Sequence, residues 1–444
     1  MPNLSPKKFL SILAGLCLLA YVSMGQNLRI YHIDVDQADA TLFVTPSGST
    51  LLVDAGKNGH GSRIKRVMQQ AGVSHIDHFV NTHYHEDHYG GIDDLVIDPD
   101  ITVGTAYDRG DKNHLPVSKL NERTYRDYDS LIGHRAIMLT RGMQILVDNT
   151  ISVTCISHGG AVLGEQNPDT GMDENDMSIS LLIRYGNFWV FLGGDIESHT
   201  ETKIAEHDLV MNVDLYQANH HGSHTSSSRS FMEDLTPSVV VISNGNNNSY
   251  YHPRQISLDT YSRLTPTPIV LQTNKYLGGR PGAGNVNDQF IADLDADGDD
   301  GTILIDVNLN QNQYTVSYRN QSHDFTIKNR GSILVQPRQV VIERLLPNPV
   351  GSDTDLESIT IANRTGSSIL LSGWMLRDAS GRVWALDGSG SIPANQALRI
   401  VRNGMPMSLN NEGDLIQLIG PDNTIIDEFQ YVGSLEGIEI MTNH

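Results

Sequence analysis

The most constraining feature of the chain is a cluster of histidines and acids directly after an apolar segment. Residues 80–91 read VNTHYHEDHYGG, with three histidines and two acids between His83 and His88. Two alternate residues at a strand end point the same way, so His83 and His85 can face one ion. A following turn would bring Asp87 and His88 to a second ion. The spacing predicts a two-metal centre, and a histidine-rich surface loop is the alternative.

Further candidate ligands follow other apolar runs. Asp195 closes FWVFLGGD, where packing explains an acid poorly and a bridge between two ions explains it well. His220 and His221 follow VDLYQAN, and one of them should complete the second ion's shell. Asp54 ends STLLVDAG, and we expect it to orient a ligand, with a strand-end cap as the alternative.

The surrounding sequence, residues 28–318, mixes strand and helix patterns. Runs such as LRIYHIDV, FWVFLGGD and SVVVIS are rich in branched and aromatic residues. The segment SRIKRVMQQAG has Ile64, Val67 and Met68 at helical spacing and Gly72 as a stop. These patterns predict an α/β domain with helices packed on sheets.

The pattern of predicted secondary structure changes at about residue 340. Short strand-like runs, such as ESITIANRT and DLIQLIG, alternate with Gly, Asn, Asp and Ser turns, and no helix pattern is visible. We therefore expect an all-β sandwich over residues 340–444. Residues 321–339 are interpreted as a linker or a last edge strand.

The N-terminal residues 1–25 have the pattern of a signal peptide. Lys7 and Lys8 precede the apolar run FLSILAGLCLLAYVS, which is too short for a well-supported membrane span, although an uncleaved anchor is the alternative. Cleavage would remove Cys17, leave Cys155 as a buried strand residue without a disulfide partner, and change the net charge from −21 to −23. Such acidity argues against a broadly basic nucleic-acid surface but leaves room for a local groove.

The chain resembles the metallo-β-lactamase fold superfamily, whose His-x-His-x-Asp-His motif matches His83, His85, Asp87 and His88. It is most similar to the soluble hydrolase domain of the ComEC-like competence family. The stretches HIDVDQADATLFVTPSGSTLLVDAG, NDMSISLLIRYGNFWVFLGGDI, ANHHGSHTSSS and VVISNGNNNSYYHP carry that resemblance. It implies an αββα sandwich over residues 28–320.

The same resemblance implies roles for individual residues. Asp195 is the implied bridging ligand and His221 the implied histidine of the second ion, which leaves His220 beside the substrate. His252 lies in the His-Pro pair that the family places near the active site, where it would donate a proton or contact phosphate; a turn histidine is the alternative. With Asp87, these two histidines form the predicted catalytic group.

Two further positions are less well defined by the resemblance. Many superfamily members supply a third histidine for the first ion from a Pro-Gly-His-Thr-like loop. The candidate here is His158 in CISHGGAVLG, which lacks that pattern, so its ligation is left open. Ser223 is predicted to support the site, where it, Thr225 and the following serines could donate hydrogen bonds to substrate oxygens, although capping of the next helix is the favoured alternative.

An acidic stretch, DLDADGDDG, matches the first half of a calcium loop. Asp293, Asp295 and Asp297 occupy the ligand positions, but Leu304 stands where the closing glutamate belongs. A solvated acidic turn is the alternative to a calcium site.

The C-terminal part resembles the lamin-tail domain, an immunoglobulin-like sandwich. The stretch VVIERLLPNPVGSDTDLESITIANRTGSSILLSGWMLRD carries the resemblance, with Trp374 after LSG. In bacteria such domains accompany secreted or surface hydrolases, which implies contact with a cell surface or a polymer.

These observations together predict a secreted, periplasmic or cell-surface bacterial hydrolase with two divalent ions, zinc first and manganese as the alternative. The expected substrate is a phosphodiester in DNA or another extracellular nucleic acid. A cell-wall or lipid-headgroup phosphodiester, as for choline-phosphate esterases, is the second candidate, and an inactive surface-binding protein is the third. Lactam or thioester hydrolysis fits less well because the third-histidine loop is wrong for those branches.

Overall fold

The structure is a computed structural model. It describes residues 27–442, except residues 111, 113–114, 146, 149, 164, 166–171, 208, 296–300, 329–338, 366–367, 372 and 421–423. The predicted signal peptide, residues 1–25, lies outside the described residues. Within the described part of the chain, no helix is long and apolar enough to cross a membrane.

The chain begins with strands and helices that alternate, as the sequence predicts. In chain order these are β1 (Leu28–His32), β2 (Thr41–Val44), β3 (Thr50–Val53), α1 (Gly61–Ala71), β4 (His75–Val80), α2 (Glu86–Tyr89), α3 (Ile92–Ile97), β5 (Thr102–Asp108), α4 (Val117–Asn121), α5 (Arg123–Leu131) and β6 (Ile137–Met138). The predicted helix is α1, which buries Ile64, Val67 and Met68 and ends at Gly72 with a φ of 76°. That left-handed conformation suits glycine and stops the helix.

A second run of strands and helices follows. It comprises β7 (Gln144–Ile145), β8 (Ile151–His158), β9 (Ala161–Val162), β10 (Ser180–Tyr185), β11 (Phe188–Leu192), α6 (Ser198–Glu206), β12 (Leu215–Gln217), α7 (Arg229–Leu235), β13 (Val239–Ile242), α8 (Gln255–Ser262), β14 (Ile269–Asn274) and β15 (Ile291–Asp293). Three strands then return to the first sheet: β16 (Ile303–Asn308), β17 (Gln313–Tyr318) and β18 (Gln321–Thr326).

These strands form two large sheets that face each other. The first has the order β18-β17-β16-β1-β2-β3-β4-β5-β6, and the second has the order β15-β14-β13-β12-β11-β10-β8-β7, with β9 paired to β8. One apolar core draws on both sheets, for example Phe43 and Val53 from the first and Leu181 and Val190 from the second. Two more cores lie on the outer faces, under α1, α3 and α5 and under α6, α7 and α8. The αββα prediction is confirmed.

The segment of residues 321–339, interpreted as a linker or an edge strand, begins with an edge strand. Gln321–Thr326 pairs antiparallel with β17 and forms the edge strand β18, so the first sheet continues past residue 320. Alternation of exposed and half-buried residues along β18 suits a sheet edge. Residues 329–338 lie outside the described residues.

The C-terminal region is a β-sandwich with one short helix. Its elements are β19 (Val340–Leu346), α9 (Asp353–Leu356), β20 (Ser358–Asn363), β21 (Ile369–Leu370), β22 (Met375–Arg377), β23 (Val383–Ala385), β24 (Ser391–Ile392), β25 (Gln396–Val401), β26 (Asp414–Ile419), β27 (Ile425–Tyr431) and β28 (Ile440–Met441). Sheets β25-β20-β19-β28 and β23-β22-β26-β27 share a core that includes Ile361, Trp374 and Leu418. The predicted all-β architecture is confirmed, although the four-residue α9 was not foreseen.

The two regions contact each other along β10 and β27. The guanidinium of Arg184 donates a hydrogen bond of 2.9 Å to the backbone oxygen of Ile425. Leu163 packs with Ile419 and Ile425 in a small apolar cluster. Arg184 is 7% exposed, so this contact buries a charged side chain between the regions.

Candidate metal centre

The first ligand set comes from the end of β4 and the end of β11. His83 and His85 follow β4 directly, and their facing nitrogens, His83 Nε2 and His85 Nδ1, lie 2.9 Å apart. Two nitrogens on one tetrahedral zinc ion lie about 3.3 Å apart, close to that spacing. Asp195 Oδ2 is 3.7 Å from His83 Nε2. These three side chains therefore converge as a candidate site for one cation.

The second ligand set shares Asp195. The other oxygen, Asp195 Oδ1, lies 3.3 Å from His88 Nε2 and 3.8 Å from His221 Nε2. Asp87 Oδ2 is 3.5 Å from the same His221 nitrogen. Because the two oxygens of Asp195 face different histidines, the carboxylate stands between the two sets.

Unpaired polar atoms mark the second set as a cation site. His88 Nε2, His221 Nε2 and Asp195 Oδ1 are all buried, and the described protein atoms give them no hydrogen-bond partner. The opposite ring nitrogens are engaged: His88 Nδ1 is 2.8 Å from Asp54 Oδ2, and His221 Nδ1 is 3.0 Å from the backbone oxygen of Ser243. Buried polar groups without partners are costly. A divalent ion would satisfy all three atoms, so the residues fit the group that the motif implies.

A strained turn presents the two histidines that follow β12. In the short 3₁₀ turn Asn219–Gly222, His220 and His221 both have left-handed backbones, with φ of 50° and 53°. The turn packs on Gly193, where an added Cβ would lie 2.2 Å from Asn219 Oδ1. The glycines before Asp195 thus permit the close approach of the turn, and backbone strain of this kind is typical of functional sites.

Comparison with known proteins agrees with this geometry. The Metallo-beta-lactamase superfamily matches residues 33–127, and the Lamin Tail Domain matches residues 335–433. The first match includes His83, His85, Asp87 and His88 of the ligand sets, whereas Asp195 and His221 lie beyond it.

Two curated relatives come from bacteria. ComE operon protein 3 of Bacillus subtilis is 32% identical over 102 residues, which cover 23% of this chain and 13% of that protein. Recombination protein 2 of Haemophilus influenzae is 25% identical over 245 residues, which cover 53% of this chain and 26% of that protein. The chain therefore spans a small part of the length of the relatives it matches. A yeast long-form RNase Z structure is 8% identical, covers 77% of this chain and 60% of its own, and has a TM-score of 0.36, too weak a likeness to bear on function.

The two ligand sets open into a cavity of about 370 Å³. His220 and His252 line it with ring centroids 5.4 Å apart. Burial opposes protonation of His220, but the carboxylates of Asp195 and Glu197 outweigh it and raise the His220 pKa. Burial and the charges of His221 and His220 lower the pKa of His252 to about 3. The cavity thus holds one histidine that retains a proton and one that is neutral.

The predicted supporting residues lie behind these groups. Asp54 accepts from the backbone N–H of Thr82 and lies within hydrogen-bonding distance of His88, as an orienting residue would. Ser223 Oγ is 3.0 Å from Thr225 Oγ1, which is 3.2 Å from His220 Nδ1. Ser223 therefore reaches His220 through Thr225. Ser223 itself is not the cap of helix α7, since the N-cap position is held by Ser228, one of the serines that follow it.

His158 lies away from both ligand sets among the described residues. It ends β8, and its Nε2 is 2.7 Å from the backbone oxygen of Arg109. Arg109 is itself held by two short bonds to Glu174, of 2.8 and 2.7 Å. The groupings of described residues that could hold a cation do not include His158, and its ligation stays a prediction.

The predicted calcium loop is only partly described. Asp293 is buried at the end of β15, and its Oδ1 accepts from the backbone N–H of Asp295 at 2.9 Å. Asp297 lies outside the described residues. Among the described acids, the groupings that could hold a cation do not include Asp293 or Asp295. The calcium site therefore stays a prediction.

Sequence reasoning did not single out several residues of the site. Asp39 is buried beside His221, with Asp39 Oδ1 3.6 Å from His221 Nδ1, and both of its oxygens are without hydrogen-bond partners. Burial raises the Asp39 pKa to about 6, although His221 and His88 oppose the rise. Glu197 Oε1 is 3.2 Å from His220 Nδ1, and Lys57 and Tyr250 line the cavity. Asp39 stands in the stretch DQADA after β1, an acid after an apolar strand, which was the available signal.

Proposed function

We propose that the protein is a secreted dinuclear-metal phosphodiesterase that acts on nucleic acid. The observation that carries this proposal is the sharing of Asp195 between two ligand sets at the base of one open cavity. A phosphodiester has negative oxygens that can span two cations and the protonated donors beside them. Lys57 and His220 on the cavity wall add positive charge, which favours an anionic substrate over a neutral lactam.

The metal-binding roles follow from the contacts. His83, His85 and Asp195 would hold one ion, and Asp87, His88, Asp195 and His221 the other. Imidazole and carboxylate donors suit zinc, with manganese as the alternative. When bound, a pair of divalent ions lowers the pKa of water to supply hydroxide and offsets charge on the phosphoryl oxygens.

His220 is positioned to serve as proton donor. Its Nδ1 faces Glu197 Oε1 and Thr225 Oγ1, both at 3.2 Å, so Nε2 is left to face the cavity beside Asp195. A carboxylate at Nδ1 keeps the imidazole protonated and fixes its orientation. His220 would therefore donate to a phosphoryl oxygen or to the leaving oxygen.

His252 contributes as a neutral partner. Its ring lies 6.4 Å from that of His221 and stacks nearly parallel to it, at 26°. His252 Nδ1 is buried without a hydrogen-bond partner among the described residues. A neutral imidazole with a free nitrogen can contact a substrate oxygen and leave protonation to His220.

The test is a substrate comparison with the purified full-length chain. Protein supplied with Zn²⁺ or Mn²⁺ is assayed on bis-p-nitrophenyl phosphate, single-stranded DNA and p-nitrophenyl phosphorylcholine, beside nitrocefin and a glutathione thioester. Turnover of DNA and the small diester is expected. Turnover of nitrocefin or the thioester, with none of the phosphodiesters, would contradict the proposal. Preference for the phosphorylcholine ester over DNA would favour the headgroup substrate.

Secretion and the role of the second region belong to the same proposal. The signal-peptide pattern of residues 1–25 supports export from a bacterial cell, and the lamin-tail region supports contact with a surface or polymer. We propose the hydrolase domain from residue 28 to the end of β18 and the sandwich from residue 340. N-terminal sequencing of the protein recovered outside the cytoplasm should begin near residue 26. A mature chain that begins at Met1 would contradict cleavage.

A further inference from the structure

Two arginines near the cavity have no carboxylate partner among the described residues. The chain has 31 lysines and arginines against 52 acids. Accordingly, Lys65, Arg109, Lys112 and Lys203 each contact a carboxylate. In the described part of the chain, Arg254 and Arg280 have no carboxylate partner. Positive side chains without a carboxylate partner can attract an anionic ligand to this place.

Aromatic side chains accompany these arginines. The guanidinium carbons of Arg254 and Arg280 lie 6.0 and 5.8 Å from the centre of the Tyr251 ring. The neighbouring Tyr250 is 60% exposed and lines the cavity, with its ring 5.9 Å from that of His252. An exposed tyrosine ring at the edge of a charged cavity can stack on a planar group of a ligand.

The segment that carries the tyrosines is held in one conformation. Asn248 donates to the backbone oxygens of Gly245 and His252, at 3.0 and 2.7 Å, and accepts from the backbone N–H of His252 at 2.9 Å. Tyr251 has a φ of 65°, an unusual value for a bulky residue. The local bonds that over-determine this loop fix the position of Tyr250 before any ligand arrives.

The segment that carries Arg280 is tied to the same loop. Leu277 N–H donates to the backbone oxygen of Asn246 at 2.6 Å, and Gly284 N–H donates to that of Pro253 at 2.9 Å. These bonds lie on either side of Arg280 in sequence. The tyrosines and the arginines therefore lie on connected segments, and Tyr250 lines the cavity.

We propose that Tyr250, Tyr251, Arg254 and Arg280 form a strand-binding platform for single-stranded nucleic acid. This rests on the proposed phosphodiesterase function, since the platform would hold the nucleotides next to the phosphodiester in the cavity. An exposed aromatic ring stacks with an unpaired base, whereas bases inside a duplex are unavailable for stacking. The arginines neutralise backbone phosphates, so the platform supplies the local positive groove that the acidic chain otherwise lacks.

Binding is measured apart from turnover. Full-length, Zn²⁺-loaded protein is titrated against a fluorescent twelve-nucleotide phosphorothioate strand, which resists cleavage, by anisotropy at several salt concentrations. Tyr250→Ala should weaken binding about tenfold, and Tyr250→Phe, which keeps the ring, should not. Arg280→Ala should weaken binding and reduce the slope of log affinity against log salt by about 0.7.

Arg263→Ala is the matched control for loss of charge. Arg263 ends α8, whereas Arg254 precedes its first residue, so the two are roughly 13 Å apart along the helix. This variant should keep the wild-type affinity and salt slope. Equal losses in Arg263→Ala and Arg280→Ala would overturn the platform, because the effect would then reflect net charge alone.

An abasic strand of the same length separates nucleic acid from other phosphodiester polymers. Tyr250→Ala should leave binding of the abasic strand at the wild-type level; an equal loss on both strands would overturn base stacking. If the wild type cleaves no phosphodiester and Tyr250→Ala still loses strand binding, the proposed function fails and the platform stands. If the wild type cleaves phosphodiesters and all platform variants bind normally, the platform fails alone.

Discussion

In the metal centre, the acids Asp39 and Asp195 are buried among histidines. In the C-terminal sandwich, Glu428 is also buried, but residues 340–443 contain no histidine. Glu428 Oε2 instead accepts from Gln417 Nε2 at 3.0 Å, near Arg184 of the hydrolase region. Burying an unpaired carboxylate is costly in both places. The two regions neutralise the buried carboxylate in different ways.

The difference lies in what can neutralise the buried charge. Around Asp195, the facing nitrogens of His88 and His221 have no hydrogen-bond partner among the described residues, and divalent cations could bind there. Around Glu428, burial is the dominant influence and raises the carboxyl pKa to about 8, so a proton neutralises it. A buried acid among histidines therefore indicates chemistry, and a buried acid among amides and arginines indicates a structural junction.

The largest expected effect comes from removing the shared carboxylate. Asp195→Asn keeps the side-chain volume but should lower metal content from about two ions to fewer than one and reduce phosphodiester turnover by at least about 10³-fold, since bound ions supply several kcal/mol. Elemental analysis and a bis-p-nitrophenyl phosphate assay measure both. Two bound ions at full activity would disprove the bridging role of Asp195.

The next effect separates the two adjacent histidines of the Asn219–Gly222 turn. His220→Ala should retain metal and lower kcat by about 30- to 1000-fold, corresponding to about 2–4 kcal/mol of lost transition-state stabilisation. His221→Ala should lose one ion. His224→Ala, at an exposed histidine of the same segment, is the control and should resemble the wild type. Metal loss in His220→Ala would make this residue a ligand instead of a proton donor.

The sequence predicts the fold well, because strand and helix periodicities are local. The helix at Ile64, Val67 and Met68 and the apolar run before Asp195 follow directly from residue spacing. The ligand motif is predictable for the same reason, since His83 to His88 are close in the chain and the end of a strand fixes their directions.

Residues that reach the site from distant elements could not be predicted in this way. Asp39 comes from the loop after β1, Glu197 precedes α6, and Tyr250 follows β13, so only the order of strands in the two sheets brings them together. His158 was a candidate ligand from its sequence, but in the structure its Nε2 contacts the backbone oxygen of Arg109, a residue that is distant in the chain. The spacing of residues along the sequence does not predict such long-range contacts.

A smaller effect is expected at Asp39, which tests whether buried acids of the metal centre act through histidine. Asp39 Oδ1 lies 3.6 Å from Nδ1 of His221, while Asp87 Oδ2 lies 3.5 Å from Nε2. Asp39 also belongs, with His88, Asp195 and His221, to a grouping that could hold a cation. Asp39→Asn should weaken Zn²⁺ affinity about 10- to 100-fold in chelator competition without abolishing binding. Asp36→Asn, three residues away and half-buried, should bind normally. Equal affinities in both variants would show that Asp39 does not orient His221.

The smallest effect tests the other side of the comparison, at Glu428. Because burial raises its pKa in the folded state, the folded protein holds a proton that the unfolded chain releases above about pH 4.5. Its contribution to stability is therefore complete below about pH 4.5 and declines as pH rises to about 8. One unit of pKa shift corresponds to about 1.4 kcal/mol.

Glu428→Gln, which stays neutral, should flatten the pH dependence of the unfolding free energy between pH 5 and 8, as measured by urea titration. Turnover should be unaffected, since Glu428 lies at the contact with Gly142 and not at the cavity. The exposed Glu412→Gln should keep the wild-type pH profile; if Glu428→Gln does so too, Glu428 is charged in the folded protein and the contrast with Asp195 fails.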